Sequence, residues 1–137
     1  MTGPALRTSG RRWVGVVEAL TSLTAIGGGV GLMINGLGMP ESDAPDLLGG
    51  TWALPGLALI TVIGGGQGLA AAAELRDHRR AGAATLAAGA AMVAFEAAEL
   101  GLIPFSWLTP AFLGVGLVEI ASSISRTGGE GAARRTG

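Results

Sequence analysis

The chain contains no cysteine, no lysine and no tyrosine, and its single histidine is His78. Without cysteine there can be no disulfide, no thiolate nucleophile and no cysteine metal site. Charged residues are also scarce, at 14% of the 137 residues, whereas hydrophobic residues make up 49%. A soluble domain of this length needs more polar positions to cover its surface. The composition therefore favours a membrane protein.

The apolar residues are gathered into four runs, at about 13–35, 52–75, 81–103 and 107–125. Each run is close to the roughly 20 residues that a helix needs to cross a hydrocarbon core of about 30 Å. Because the runs are long and show no strict alternation, helices are favoured over a β-barrel. The first run is too long for a usual signal peptide and is interpreted as a retained anchor. We predict an all-α membrane protein, a four-helix transmembrane bundle with a basic tail at 1–12 and a disordered tail at 126–137.

The nine basic residues are all arginines, and they precede the first run, lie between the second and third runs, or follow the fourth. Short loops rich in arginine stay in the cytoplasm during insertion. The pattern predicts that the N- and C-termini are both cytoplasmic and that the chain crosses the inner (plasma) membrane several times, in contact with the lipid bilayer. No nucleic-acid partner is expected, because no soluble domain is left to carry a basic patch.

Glycines four residues apart recur inside the runs, as Gly27 with Gly31 in GGGVG and Gly64 with Gly68 in GGGQG. Small residues at this spacing lie on one helix face and let two backbones approach closely. The stretches do not match the phosphate-binding patterns G-x-G-x-x-G or Walker A. The four glycines are therefore predicted to pack helices. The third run repeats the spacing with Ala83, Ala87 and Ala91.

Acidic residues inside the runs are the strongest candidates for function, because carboxylates are costly in hydrocarbon. At 1.5 Å per residue, Glu18 and Gln67 lie about 8 Å, and Glu119 about 12 Å, above the arginine-bearing side. These three are predicted to meet at one level as a proton or cation site, or a crevice for an organic cation. Glu96 and Glu99 lie in the opposite half, at about 21 and 26 Å. Hydroxyl groups expected around the first three belong to Thr21, Ser22, Ser122 and Ser123.

A purely structural role for these acids is the alternative interpretation. Long side chains near a membrane surface reach towards it, and so Glu99 would point to the outer surface. Buried carboxyl groups can also be held by neighbouring hydroxyl groups or cations, as in three pairings: Glu18 with Arg11 or Arg12, Glu74 with the RDHRR turn at 76–80, and Glu119 with hydroxyl groups of a neighbouring helix.

No catalytic residues, cofactor or metal site are predicted. The sequence offers no nucleophile–base pair, and His78 lies in a charged turn. The acids at 41, 43 and 46 do not have the spacing of a calcium loop and are interpreted as solvated.

The order of features resembles small four-span membrane proteins predicted in many actinobacterial genomes. The similarity covers most of residues 11–120 and includes the basic start RRW, the glycine run of the first span, LPGLAL at 54–59 and FSWLTPAFLGVGL at 105–117. It implies four helices in a bacterial inner membrane and carries over no functional residues. VVEALTSL at 16–23 is also similar to the first span of small multidrug-resistance transporters, although this chain has a longer loop and more intramembrane acids.

Two functions are consistent with these observations. The first is a non-enzymatic membrane component that packs with itself, as a homo-oligomer, or with a membrane protein partner. The alternative is a small proton-coupled transporter or channel subunit that uses Glu18, Glu96 and Glu119. A membrane-embedded enzyme acting on lipids ranks third.

Overall fold

A computed structural model describes residues 4–102 and 108–135, and the side chains within 12–102 and 108–126. The described residues form helices and contain no β-strand. The long helices are Pro4–Asn35, Ala81–Leu102 and Leu108–Arg135, and a fourth consists of Ala53–Ala58, Leu59–Gly65 and Gly66–Leu75 in succession. Short 3-10 turns at Gly36–Gly38, Glu41–Asp43 and Asp46–Leu48 form the connection between the first two.

Four helical segments are long and apolar enough to cross a membrane, which confirms the all-α prediction. They are Arg12–Gly38, Ala53–Leu75, Ala81–Leu102 and Leu108–Arg126, here named spans 1 to 4. Their bounds are close to those expected from the apolar runs, although residues 103 and 107 lie outside the described residues. Arg12, the 76–80 turn and Arg126 lie at one end of the bundle, here the arginine end; the 39–51 connection lies at the other, here the loop end.

The helices extend beyond the predicted spans at both tails. The first helix begins at Pro4 and the last continues to Arg135, whereas the sequence suggested a loose tail at 1–12 and a disordered one at 126–137. Once a helix is nucleated, each further residue adds one hydrogen bond at little cost. Proline is tolerated in a first turn, where no intrahelical N–H bond is lost. Hydropathy marks where a helix leaves the hydrocarbon and does not mark where the helix itself ends.

Span 2 changes its winding near its middle. Residues Leu59–Gly65 form a π-helical segment between two α-helical pieces. Four consecutive residues of this segment, Ile60 to Ile63, are β-branched and crowd an ordinary helical turn. Wider π turns of this kind are often found at functional sites. Here the segment contributes Leu59 and Ile63 to the interior of the bundle.

The middle of the bundle is an apolar layer. Ala25, Ile63 and Met92, from three different spans, are buried there with at most 2% exposure. Partly buried side chains complete the layer: Leu59, Phe95, Phe112 and Val115. The layer divides the buried polar groups of the bundle into two sets.

A second apolar cluster closes the loop end. Trp52 is buried against Leu32 and Ala44, and its indole N–H donates to the carbonyl oxygen of Pro40 at 3.2 Å. Gly36 has a φ of +63°, and a Cβ placed on it would lie 2.6 Å from the Trp52 ring. The connection is therefore folded onto the ends of spans 1 and 2.

Two glycine pairs that the i, i+4 pattern did not single out form close helix crossings. A Cβ on Gly29 would lie 2.6 Å from the carbonyl oxygen of Gly56, and one on Gly56 would lie 2.5 Å from that of Gly29. Gly89 and Gly116 stand in the same relation between spans 3 and 4, at 2.9 and 3.1 Å. Backbones at these two crossings touch directly, which leaves no room for a side chain.

Of the four glycines predicted to pack helices, two face a neighbouring span and two do not. A Cβ on Gly27 would meet nothing within 4 Å, and one on Gly31 would meet the side chain of Leu37 in the following turn. Within the described residues, these two glycines do not form a helix crossing. Gly64 and Gly68 do face span 1, at Ile26 and Ser22.

The predicted alanine stripe of span 3 does not coincide with the buried face of this helix. Ala83 and Ala87 are exposed and Ala91 is half-buried, whereas Ala88, Gly89 and Met92 lie inside the bundle. Spacing alone does not identify the buried face of a helix that has small residues all round it.

Candidate functional site: a buried carboxylate cluster

Three carboxyl side chains are buried in the half of the bundle nearer the arginine end. Glu18, Glu74 and Glu119 come from spans 1, 2 and 4 and are 0%, 2% and 2% exposed. Gln67 and Thr85, from spans 2 and 3, are buried with them. We call these five residues the carboxylate cluster. Every span contributes at least one member.

Gln67 and Glu119 are joined by a direct hydrogen bond. The side-chain amide Nε2 of Gln67 donates to Oε2 of Glu119 at 2.8 Å. Oε1 of each residue is buried and has no hydrogen-bond partner in the described part of the chain. The structure thus brings together two of the three residues expected to share a level, and it links span 2 to span 4 through them.

Glu18 is the third of those residues, and its side chain is the least hydrogen-bonded of the three. Neither of its carboxylate oxygens accepts a hydrogen bond from the residues that the structure describes, because the nearby hydroxyl of Thr85 donates to Glu74. Its neighbours among charged and polar side chains are Thr85, Glu119, Glu74 and Arg126. Arg12, one of the expected partners, is exposed; the side chain of Arg11 lies outside the described residues. Among the described residues, the surroundings of Glu18 thus hold two other acids, Glu74 and Glu119, and one cation, Arg126.

Among the partners of Glu74 at the arginine end are the side chains of Thr85 and Arg126. The hydroxyl of Thr85 donates to its Oε1 at 2.9 Å, and Nη1 of Arg126 donates to the same oxygen at 2.6 Å. Arg126 is itself oriented by a bond from Nε to the carbonyl oxygen of Ser122, at 3.1 Å. The sequence suggested the 76–80 turn as the partner of Glu74, whereas the ion pair to Arg126 reaches across the bundle from span 2 to span 4.

Thr85 and Arg126 are the members of this arrangement that sequence reasoning missed. Thr85 is the only hydroxyl residue between 81 and 103, and the first polar side chain of a stretch whose other polar residues are Glu96 and Glu99. That isolation was a usable signal, since a lone hydroxyl in an apolar helix tends to have a polar partner. Arg126 was assigned to the tail because the apolar run ends just before it.

The hydroxyl groups predicted to surround the acids bond to backbone instead. Thr21 donates to Val17 and Ser122 to Glu119, each within its own helix. Two others cross between helices and donate to glycine carbonyls: Ser22 to Gly64 at 2.7 Å and Ser123 to Gly82 at 2.6 Å. Short hydroxyl side chains reach nearby carbonyls more easily than a carboxyl group on another helix. Ser22 and Ser123 therefore join helices, whereas Thr21 and Ser122 bond within their own helix.

Glu96 and Glu99 lie on the other side of the apolar layer. Glu96 is 2% exposed, and its Oε2 has no hydrogen-bond partner among the described residues. Glu99 is half-buried, one turn closer to the loop end. These two acids are therefore separate from the carboxylate cluster, as their position along span 3 predicted.

A groove of about 420 Å³ lies between spans 1 and 4. Its walls are mostly apolar, and Glu119 and Ser122 are the polar residues that line it. Trp13 lies at the arginine end of the groove and is 61% exposed. The carboxylate cluster therefore borders an opening in the side of the bundle.

Among the described residues, no group of three His, Cys, Asp or Glu side chains is placed to hold a metal. The loop acids Glu41, Asp43 and Asp46 are exposed, as is His78. The candidate site thus reduces to carboxyl groups that are buried, close to one another and incompletely hydrogen-bonded.

These positions must be interpreted from their own chemistry, because function resides in the site rather than in the fold. Comparison with known proteins finds no family model, no curated protein and no solved structure that matches this chain.

Proposed function

We propose that this chain is a small proton-coupled transporter or channel subunit that binds protons at the carboxylate cluster. The observation that supports this most is Glu18, which is fully buried with both carboxylate oxygens unpartnered in the described part of the chain. In hydrocarbon, such a carboxyl group is stable only when a proton or a cation neutralises it. A group that must be neutralised to stay buried is suited to picking up and releasing a proton.

The balance of charge in the cluster supports the same proposal. Glu18, Glu74 and Glu119 provide three carboxyl groups, and Arg126 is the cation described beside them. Arg126 already forms an ion pair with Glu74. Glu18 and Glu119 are then left to share whatever positive charge enters the cluster. Intramembrane acids arranged in this way mark ion and proton pathways in other membrane proteins.

The orientation that fits this function is the one expected from the arginines, with the arginine end in the cytoplasm and the bundle in the inner (plasma) membrane. The carboxylate cluster would then lie in the cytoplasmic half. The partly exposed guanidinium of Arg126 gives the cluster its connection to that surface.

Proton flux through proteoliposomes tests the proposal. Vesicles containing the full chain should dissipate an imposed pH gradient faster than protein-free vesicles, as followed with an internal pH-sensitive dye. Glu119→Gln and Glu18→Gln should each lower this flux by about 100-fold, the loss typical of a missing proton-transfer group. The amide keeps the shape of the carboxyl group and cannot exchange the proton.

Glu41→Gln is the matched control, because it makes the same change on the exposed loop. It should leave the flux unaltered. Circular dichroism and thermal unfolding should show that all three variants remain folded. Wild-type vesicles no leakier than protein-free vesicles, or Gln variants as active as the wild type, would contradict the proposal.

A second candidate is a membrane component that packs with a second copy. It is favoured by Gly27, where an added Cβ would meet nothing within 4 Å among the described residues, on a face that leaves Thr24 exposed. Small residues on such a face allow close helix association.

Disulfide cross-linking tests the second candidate, because the chain has no cysteine of its own. Thr24→Cys should form dimers on oxidation in membranes, whereas Ala88→Cys, buried inside the bundle, should not. Equal yields from both variants, or monomers alone, would count against a paired state through this face.

A further inference from the structure

Glu96 is a buried acid that the carboxylate cluster does not use. It is 2% exposed, on span 3, and its Oε2 has no hydrogen-bond partner in the described residues. Glu18 has the same character on the other side of the apolar layer. A chain with so few charged residues thus buries unsatisfied carboxyl groups at two separate depths.

The apolar layer separates the two depths. Glu96 lies four residues beyond Met92 towards the loop end, about 6 Å of helical rise. Glu119 lies four residues beyond Val115 towards the arginine end, again about 6 Å. Between them, Met92 is fully buried with Ala25 and Ile63. The side chains packed in this layer are apolar, and apolar constrictions exclude water and ions.

Glu99 connects Glu96 to the loop end. It follows Glu96 by three residues, a spacing that places both side chains on one face of the helix. Glu99 is half-buried, and Glu96 is buried below it. The two carboxyl groups follow one another inward from the loop end, and the apolar layer lies directly beyond Glu96.

We infer that Glu96 is a second proton-binding site, reached from the loop end through Glu99 and separated by the apolar layer from the carboxylate cluster, which is reached from the arginine end. This inference rests on the proposed function. A proton then crosses the bundle in two half-pathways, and the layer at Met92 must open for it to pass between Glu96 and Glu119.

Cysteine accessibility tests the two half-pathways, since the chain has no native cysteine to interfere. Single variants Glu96→Cys, Glu99→Cys, Met92→Cys and Glu119→Cys of the full chain are treated with a membrane-impermeant maleimide in right-side-out and inverted vesicles. Ser42→Cys and Arg79→Cys mark the loop end and the arginine end.

We expect cysteines at 96 and 99 to react from the side that labels position 42, and a cysteine at 119 from the side that labels position 79. Position 92 should react from neither side. Labelling of 96 and 119 from the same side, or rapid labelling of 92 from either, would overturn the inference whatever the orientation of the chain.

Flux measurements separate this inference from the proposed function. Glu96→Gln should lower proton flux by about 100-fold. Met92→Ser should raise the passive proton leak, because a hydroxyl hydrates the layer, whereas Met92→Leu conserves volume and should leave the leak unchanged. Active wild-type vesicles that lose flux in Glu119→Gln and keep it in Glu96→Gln would overturn the inference and leave the proposed function standing. Inactive wild-type vesicles would overturn both.

Discussion

Replacing Gly29 by alanine should destabilise the bundle by about 1–3 kcal/mol, the usual cost of overpacking a well-packed interior. The added Cβ would lie 2.6 Å from the carbonyl oxygen of Gly56 and 2.5 Å from the side chain of Ile60. A side-chain end can rotate away, but a backbone carbonyl moves only with its helix. Spans 1 and 2 would therefore have to separate where Gly29 and Gly56 cross.

Gly27→Ala is a control on the same helix, two residues earlier. Its Cβ would meet no atom within 4 Å. Since alanine favours a helix over glycine by about 1 kcal/mol, this variant should be neutral or slightly more stable. Unfolding in mixed detergent–SDS micelles, followed by circular dichroism, measures both. Equal effects of the two substitutions would show that the Gly29–Gly56 crossing is not a close contact in the membrane-embedded chain.

Replacing Arg126 by glutamine should cost about 1.5–3 kcal/mol, the range for a hydrogen bond to a charged group. Nη1 of Arg126 lies 2.6 Å from Oε1 of Glu74, whose side chain is fully buried. The substitution removes this charge-assisted bond, which ties span 2 to span 4. Because Glu74 also binds Thr85, part of its hydrogen bonding remains.

Arg79→Gln is the corresponding control at the same end of the bundle. Arg79 is exposed, and exposed ion pairs contribute only about 0–1 kcal/mol. In the Arg126→Gln background, Glu74→Gln should restore part of the lost stability, because it removes a buried charge that Arg126 no longer neutralises. If the effects of Arg126→Gln and Glu74→Gln are additive in a double-mutant cycle, Arg126 and Glu74 are not coupled.

The four helices could be predicted from the sequence because hydropathy is a local property. A run of about 20 apolar residues has one low-energy state in a bilayer, a helix that satisfies its own backbone. The bounds of spans 2 and 3 fall close to the expected residues for this reason. The depth of each acid follows in the same way, from the constant rise of a helix. The separation of Glu96 from Glu119 was therefore foreseeable.

The partners of each polar group could not be predicted, because they depend on how each helix is rotated. Ser22 and Ser123 were expected beside the acids and instead donate to glycine carbonyls of neighbouring helices. Thr85, which was not considered, donates to Glu74. Successive side chains on a helix point about 100° apart, because a turn contains 3.6 residues. The rotation of each helix about its own axis therefore decides which side chains face the acids.

The sequence by itself determined that this chain has four membrane-length helices and that its acids lie at two depths, since composition and helical rise are properties of each segment alone. Only the tertiary structure decided that Gln67 bonds Glu119, that Arg126 holds Glu74, and that Gly29 rather than Gly27 forms a helix crossing. These contacts follow from side-chain packing between helices. In spans that have small or apolar residues on most faces, many rotations have similar hydropathy, and fit between surfaces selects one of them.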